Sequence, residues 1–143
     1  MFLITKNGKP LNEKLYTIDI ENKTFSTKQS GLILDFKNET GWSFITQDDC
    51  NFKTGTNCTF KTGRGCVFDT QYNCTFDSQS YCVFITGSTC HFKTCLGCKF
   101  ITGPHCTFNV GTYCTFNTGS NCNFNTGSNC NFITGGYCIF LTL

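Results

Sequence analysis

The chain has 143 residues and a net charge of +2, with 14% charged residues of both signs. That length suits one domain, and the near balance of charge argues against partners held by a strong basic or acidic excess, nucleic acid foremost. Thirteen cysteines and sixteen phenylalanines stand out in the composition, and no run is long and apolar enough to cross a membrane as a helix.

Residues 1–33 differ in kind from the rest. Phe2-Leu3-Ile4-Thr5 predicts a strand, and Lys6-Asn7-Gly8-Lys9-Pro10 a turn. Tyr16-Thr17-Ile18-Asp19-Ile20 alternates, which puts Tyr16, Ile18 and Ile20 on one side of a strand. Glu21-Asn22-Lys23 is its turn, and Thr24-Phe25-Ser26-Thr27 returns as the second arm of a hairpin. Gly31 to Phe36 then leads into a repeat. Residues 1–33 are read as an N-terminal cap, because a stack of short strands otherwise exposes apolar side chains and an unpaired edge.

From Leu34 to Leu143 the sequence repeats every eight residues as C-x-F-x-T-G-x-x. Phe holds its column without exception from Phe36 to Phe140, and Cys holds twelve of fourteen places, Cys50 to Cys138. Leu34 and Trp42 fill the first two Cys places, and Trp42 would plug the wider first coils. Cys, Phe and Thr at alternate positions share one side of a short strand. Thr-Gly-x-x reads as the turn, with Gly supplying backbone freedom. Gln47, Gln71, Gln79 and Cys95 also stand in that Gly column, so positive φ is not required there.

Such a strand cannot stand alone, and stacking buries its face. The fold class is therefore all-β, a β-solenoid of residues 34–143. Two octads per coil would give seven coils and a rod roughly 34 Å long at the usual strand spacing. A triangular three-octad coil and an intertwined trimer also fit an octad period. The even columns show no hidden sixteen-residue period, so each octad is nearly equivalent to the next. That suits a two-fold-symmetric coil, and two octads per coil is the expected arrangement.

Cysteines in one column of a parallel stack would lie about 4.8 Å apart with parallel Cβ vectors. They are read as small buried hydrophobes, free thiols of a reducing, intracellular compartment. The opening residues, Met1 to Gly8, lack the apolar run of a secretory signal.

Every Lys, Arg, Asp and Glu lies at or before Lys99. Beyond it, Asn109, Asn117 and Asn125 share one outward column, and Asn123 and Asn131 another, as in stacked Asn ladders. Asp69 and Asp77 are read as solvated. Lys53, Lys61, Arg64, Lys93 and Lys99 form a small basic stripe, weaker than nucleic-acid binding requires.

The strongest metal-ligand set is His91, Cys95, Cys98 and His105, with Cys90 beside them. Cys90 and Cys98 belong to the buried column, however, and Cys95 reads as a turn residue replaced by Cys. No metal site is assigned. No nucleophile, base and orienter come together, and no motif implies a cofactor.

The unit, as in Asn57-Cys58-Thr59-Phe60-Lys61-Thr62-Gly63, resembles an octapeptide repeat of proteins from large DNA phages, viruses and some bacteria. The resemblance covers residues 34–143 and brings no activity or functional residue with it. Octads also occur in trimeric phage spike helices, but those carry a Val-Gly pattern that this chain lacks.

The expected function is therefore a non-enzymatic structural or interaction module, in a viral setting if the resemblance holds. In the final strand, Ile139, Leu141 and Leu143 alternate onto the outer face, where many earlier units carry Asn, Thr or Lys. That predicts self-association through the C-terminal strand, most simply as a two-fold dimer. The rival readings are a surface that binds ice or carbohydrate through outward Thr such as Thr107 and Thr115, and a nucleic-acid binder or mimic.

Overall fold

The computed structural model describes residues 2–142. Its strands, in chain order, begin with β1 (Leu3–Lys6), β2 (Lys9–Pro10), β3 (Tyr16–Asp19), β4 (Thr24–Thr27), β5 (Leu32–Phe36) and β6 (Ser43–Ile45). They continue with β7 (Asn51–Thr54), β8 (Thr59–Lys61), β9 (Val67–Asp69), β10 (Thr75–Asp77), β11 (Val83–Ile85) and β12 (His91–Thr94). The last are β13 (Lys99–Thr102), β14 (Thr107–Val110), β15 (Thr115–Thr118), β16 (Asn123–Thr126), β17 (Asn131–Thr134) and β18 (Ile139–Thr142).

Two nine-stranded sheets face each other. One runs β17-β15-β13-β11-β9-β7-β5-β1-β2, and the other β18-β16-β14-β12-β10-β8-β6-β4-β3. From β4 onward, neighbours within each sheet pair in parallel, with Phe60 opposite Phe76 and Phe76 opposite Phe92. Consecutive octads therefore belong to opposite sheets, and two make one coil. About seven such coils build a β-solenoid.

The core is a continuous stack of rings. Phe92 lies parallel to Phe76 and Phe108, with centroids 5.0 and 4.9 Å away. It meets Phe84 and Phe100 of the opposite sheet edge-on, each at 5.2 Å and 74°. Both geometries are favoured by the ring quadrupole. Period-two alternation is kept in the interior coils: Phe60, Phe68, Cys58 and Cys66 are buried, while Thr59 and Lys61 are exposed. The inward Thr closes the corner. The hydroxyl of Thr102, for example, donates to the Gly103 carbonyl at 3.3 Å.

The turn differs from the sequence reading in one respect. The left-handed residue is the one before Cys, as in Asn57 (φ 60°), Tyr81 (61°), Thr89 (57°) and Gly97 (70°). Glycines after Thr serve close approach between coils instead. A Cβ on Gly119 would lie 2.6 Å from the Pro104 nitrogen, and one on Gly111 would lie 2.8 Å from the Cys95 carbonyl oxygen. Real Cβ atoms do not come that near.

The N-terminal end is covered by antiparallel strands. β1 pairs with β5 and β2 with β1, so sheet one ends on Lys9 and Pro10. Pro10 has no N–H to offer a further strand. Asn7 and Gly8 both take positive φ, which suits the tight hairpin between β1 and β2. The hairpin of β3 and β4 covers the other sheet. Tyr16 and Ile18 pack against the core as expected, but Ile20 lies past the end of β3 in the turn and is exposed. In that turn the Asn22 backbone N–H and side-chain amide donate to Asp19, whose carboxyl is held below its ordinary range.

The repeat's first octad is out of register with its sequence. Leu34 pairs with Phe52, and Phe36 with Thr54. Leu34 thus takes a Phe place rather than a Cys place, and Leu32 stands where Cys would. Phe36 sits at the corner, stacked on Phe2 at 4.7 Å and edge-on to Trp42 at 5.0 Å. Trp42 does hold a Cys place. Its carbonyl accepts from Thr59 (2.8 Å), as that of Cys58 accepts from Thr75 (2.9 Å). Parallel stacking begins earlier than Leu34, at β4, where Phe25 lies opposite Phe44.

Candidate functional site

The repeat draws twelve cysteines into two internal files. Cys50, Cys66, Cys82, Cys98, Cys114 and Cys130 precede the strands of one sheet, and Cys58, Cys74, Cys90, Cys106, Cys122 and Cys138 those of the other. All are free thiols, and ten of the twelve are buried. From Cys66 on, each thiol faces carbonyls of two successive turns. Cys90 Sγ, for example, lies 3.5 Å from the Ser88 oxygen and 3.7 Å from the Gln71 oxygen. A small apolar side chain with one weak donor fits a corner lined by such carbonyls, and this accounts for Cys where Ala or Val would fill the same space.

Neighbours along a file come together across coils, with the Cys74 backbone N–H donating to Cys90 Sγ at 3.5 Å, and this coupling splits their acidities. Cys74 and Cys82 are pushed far above the ordinary thiol range, first by hydrogen bonds to file neighbours and then by burial. Cys58 falls to about 6 because its thiolate would accept from Cys74. An ionised member of a file is supported only by protonated neighbours. These thiols are walled off from reagents. In native protein a bulky disulfide reagent should titrate exposed Cys95 at once, and half-buried Cys130 and Cys138 more slowly. The other ten should react only in denaturant. Fast reaction of all thirteen would contradict the packing.

The sequence-derived metal set is dispersed. Cys98 is buried in its file, Cys95 is exposed at a corner, and His91 points outward from β12. His105 occupies a left-handed turn position. Among the described residues no three His, Cys, Asp or Glu side chains gather for a metal ion.

Two-octad coils also redistribute the outer columns. Asn109 and Asn125 share a face, with the Asn125 amide donating to Asn109 at a long 3.5 Å, but Asn117 lies on the opposite sheet between Ile101 and Ile133. Asn123 and Asn131 are likewise on opposite sheets. The closest Asn pair is in a turn column, where Asn73 donates to Asn57 at 2.6 Å. The basic stripe dissolves for the same reason. Lys53 and Lys99 are on one sheet, Lys61 and Lys93 on the other with Asp77 between them. Arg64 is in a turn, paired with Asp48 at 3.4 Å. On the first sheet Lys53 stands between Asp35 and Asp69. Each ladder alternates in sign.

Among the described residues nothing covers the β17–β18 end of the rod. Phe124 is 3% exposed, whereas Phe140, stacked on it at 4.9 Å, is 48% exposed. Beside it on the outer face, Ile139 and Leu141 are 67% and 57% exposed. Leu143, the third residue of the expected contact, lies outside the described residues.

No helix among the described residues is long and apolar enough to cross a membrane. No family model matches the chain, and neither a curated protein nor a solved structure matches it.

Proposed function

We propose that the chain acts without catalysing a reaction, as a structural or protein-interaction β-solenoid that pairs with a second copy through its open coil edge. The half-exposed ring of Phe140 carries this reading. It is the next step of a stack that every interior coil continues, and among the described residues one row of β18 backbone groups has no neighbour in its sheet. The surface that best continues such a stack is another coil of the same octads. The opposite end finishes in the antiparallel strands β2 and β3, which do not continue the parallel octad stack, and this favours contact between like edges over head-to-tail growth. Contact between two like edges gives a closed two-fold dimer instead of a filament.

The neutral surface beyond Lys99 supports the same reading, since no charge there opposes close contact. Thirteen free thiols suit a reducing compartment, the cytoplasm. The octad's resemblance to phage and viral proteins adds a viral setting to the proposal. A ligand surface has less support. Thr59, Thr75 and Thr107 share one flat column, but His91 interrupts it, and Lys61, Asp77 and Lys93 run alongside.

Sedimentation decides the matter. Wild type should sediment as a dimer, and Ile139→Lys with Leu141→Lys as a monomer, because edge lysines oppose strand pairing. A monomeric wild type at high concentration would refute the dimer. A double variant that still dimerises would place the interface elsewhere.

A further inference from the structure

The thiol files have a property that their packing role does not use. Their members meet from coil to coil at sixteen-residue steps, and the Cys74 backbone N–H lies 3.5 Å from Cys90 Sγ of the next coil. Stacked Phe rings of the same coils are 4.9–5.0 Å apart, which sets the local coil spacing. A disulfide does not suit parallel side chains at this spacing, since its sulfurs must converge to about 2.05 Å. A metal ion between two sulfurs has the opposite requirement. With metal–sulfur bonds of about 2.3 Å, two sulfurs on opposite sides of one ion lie about 4.6 Å apart. That span nearly equals the coil spacing.

We infer that the two files are a binding site for soft d10 cations, each ion held in line between two cysteines sixteen residues apart. The files offer two sulfurs per ion and no third ligand, since no three ligating side chains gather among the described residues. That excludes the tetrahedral set zinc requires. It suits ions that thiolates select and that accept two ligands, such as Hg(II), Ag(I) and Cu(I). Each metal–sulfur bond replaces an S–H bond, and the proton leaves to solvent. Hg(II) with two thiolates is neutral, so it carries no net charge into the dry core. Cu(I) and Ag(I) approach neutrality only when successive ions share thiolates along the file. The cost is the loss of S–H donors to turn carbonyls, and these are weak donors.

The files open at the same end as the Phe stack. Cys130 and Cys138 are only half-buried, while the other ten members are buried. Ions would load there first, between Cys114 and Cys130 and between Cys122 and Cys138.

Hg(II) is the probe, added to the full chain carrying Cys95→Ser, both to native protein and during refolding. Twelve file thiols taken in pairs predict about six ions per chain, with two protons released for each. X-ray absorption should find two sulfurs per ion, the far-UV spectrum should remain that of native β structure, and the melting temperature should rise. Adding Cys130→Ser and Cys138→Ser should lower the stoichiometry to about four while the fold is kept. Saturation at two ions or fewer, three or more sulfurs per ion, or loss of the β spectrum on binding would each overturn the inference. So would an unchanged stoichiometry in the double serine variant.

Discussion

Phe92→Ala is expected to cost about 3–5 kcal/mol of stability, the range for truncating a buried aromatic. Phe92 is 3% exposed and touches four other rings, two stacked and two edge-on. The cavity cannot close easily. The backbone on either side is fixed by ladders to Phe76 and Phe108, so the coils cannot move in to fill it. Equilibrium denaturation followed by circular dichroism measures the loss. A value below about 1 kcal/mol would mean that the Phe column is not a packed core.

Trp42→Ala should cost about 3 kcal/mol, toward the lower end of the same range. Trp42 is 2% exposed and joins the cap to the first regular coil, edge-on to Phe36 at 5.0 Å and roughly parallel to Phe44 at 6.2 Å. Its indole N–H is buried without an acceptor among the described residues. An unsatisfied donor of this kind costs about 1–3 kcal/mol, and removing it returns part of the loss. The consequence should be local, since a solenoid's stability is a sum of neighbouring contacts. Hydrogen exchange should quicken in β1 and β3 first and leave β12 to β16 nearly unchanged. Uniform acceleration along the rod would contradict this nearest-neighbour behaviour.

Alternation made the face of each strand legible in the sequence, because Cys, Phe and Thr at every second place leave only one side to bury. Near-equivalent octads favour the two-octad coil, since they suit a two-fold-symmetric arrangement, and the structure has it. The columns alone do not exclude a three-octad coil, because octads on the two sheets are chemically equivalent. The first octad was misleading. Leu34 and Phe36 lie on one side of β5, and either could begin the Phe column. The eight-residue spacing of Phe36 and Phe44 favours Phe36. The structure uses Leu34, because β1 lies over it and Phe2 requires a ring beside it at the corner. The left-handed turn position was hidden by its occupants. Asn and Gly would have marked it, but Tyr81, Thr89, His105 and Tyr113 stand there too. Of the candidate sites, the apolar edge at Ile139 and Leu141 was visible because both outer places of that strand are apolar, where β16 beside it carries Asn123 and Asn125. The joining of thiols into files depends on the sixteen-residue register and could not be read before it.

That register can be measured directly through His91, which is exposed on β12 opposite Thr75. Thr75→His places two imidazoles on adjacent parallel strands about 4.8 Å apart, close enough to share a Ni(II) ion. Val83→His puts the second imidazole on the other sheet, and Val67→His puts it there one coil further away. A coil of two octads predicts that Ni(II) stabilises only the Thr75→His variant, by about 2.7 kcal/mol when the ion is at a hundred times its dissociation constant. Stabilisation of Val67→His would instead show three octads per coil. Stabilisation of Val83→His would show neighbours eight residues apart, and either result would contradict the fold described above.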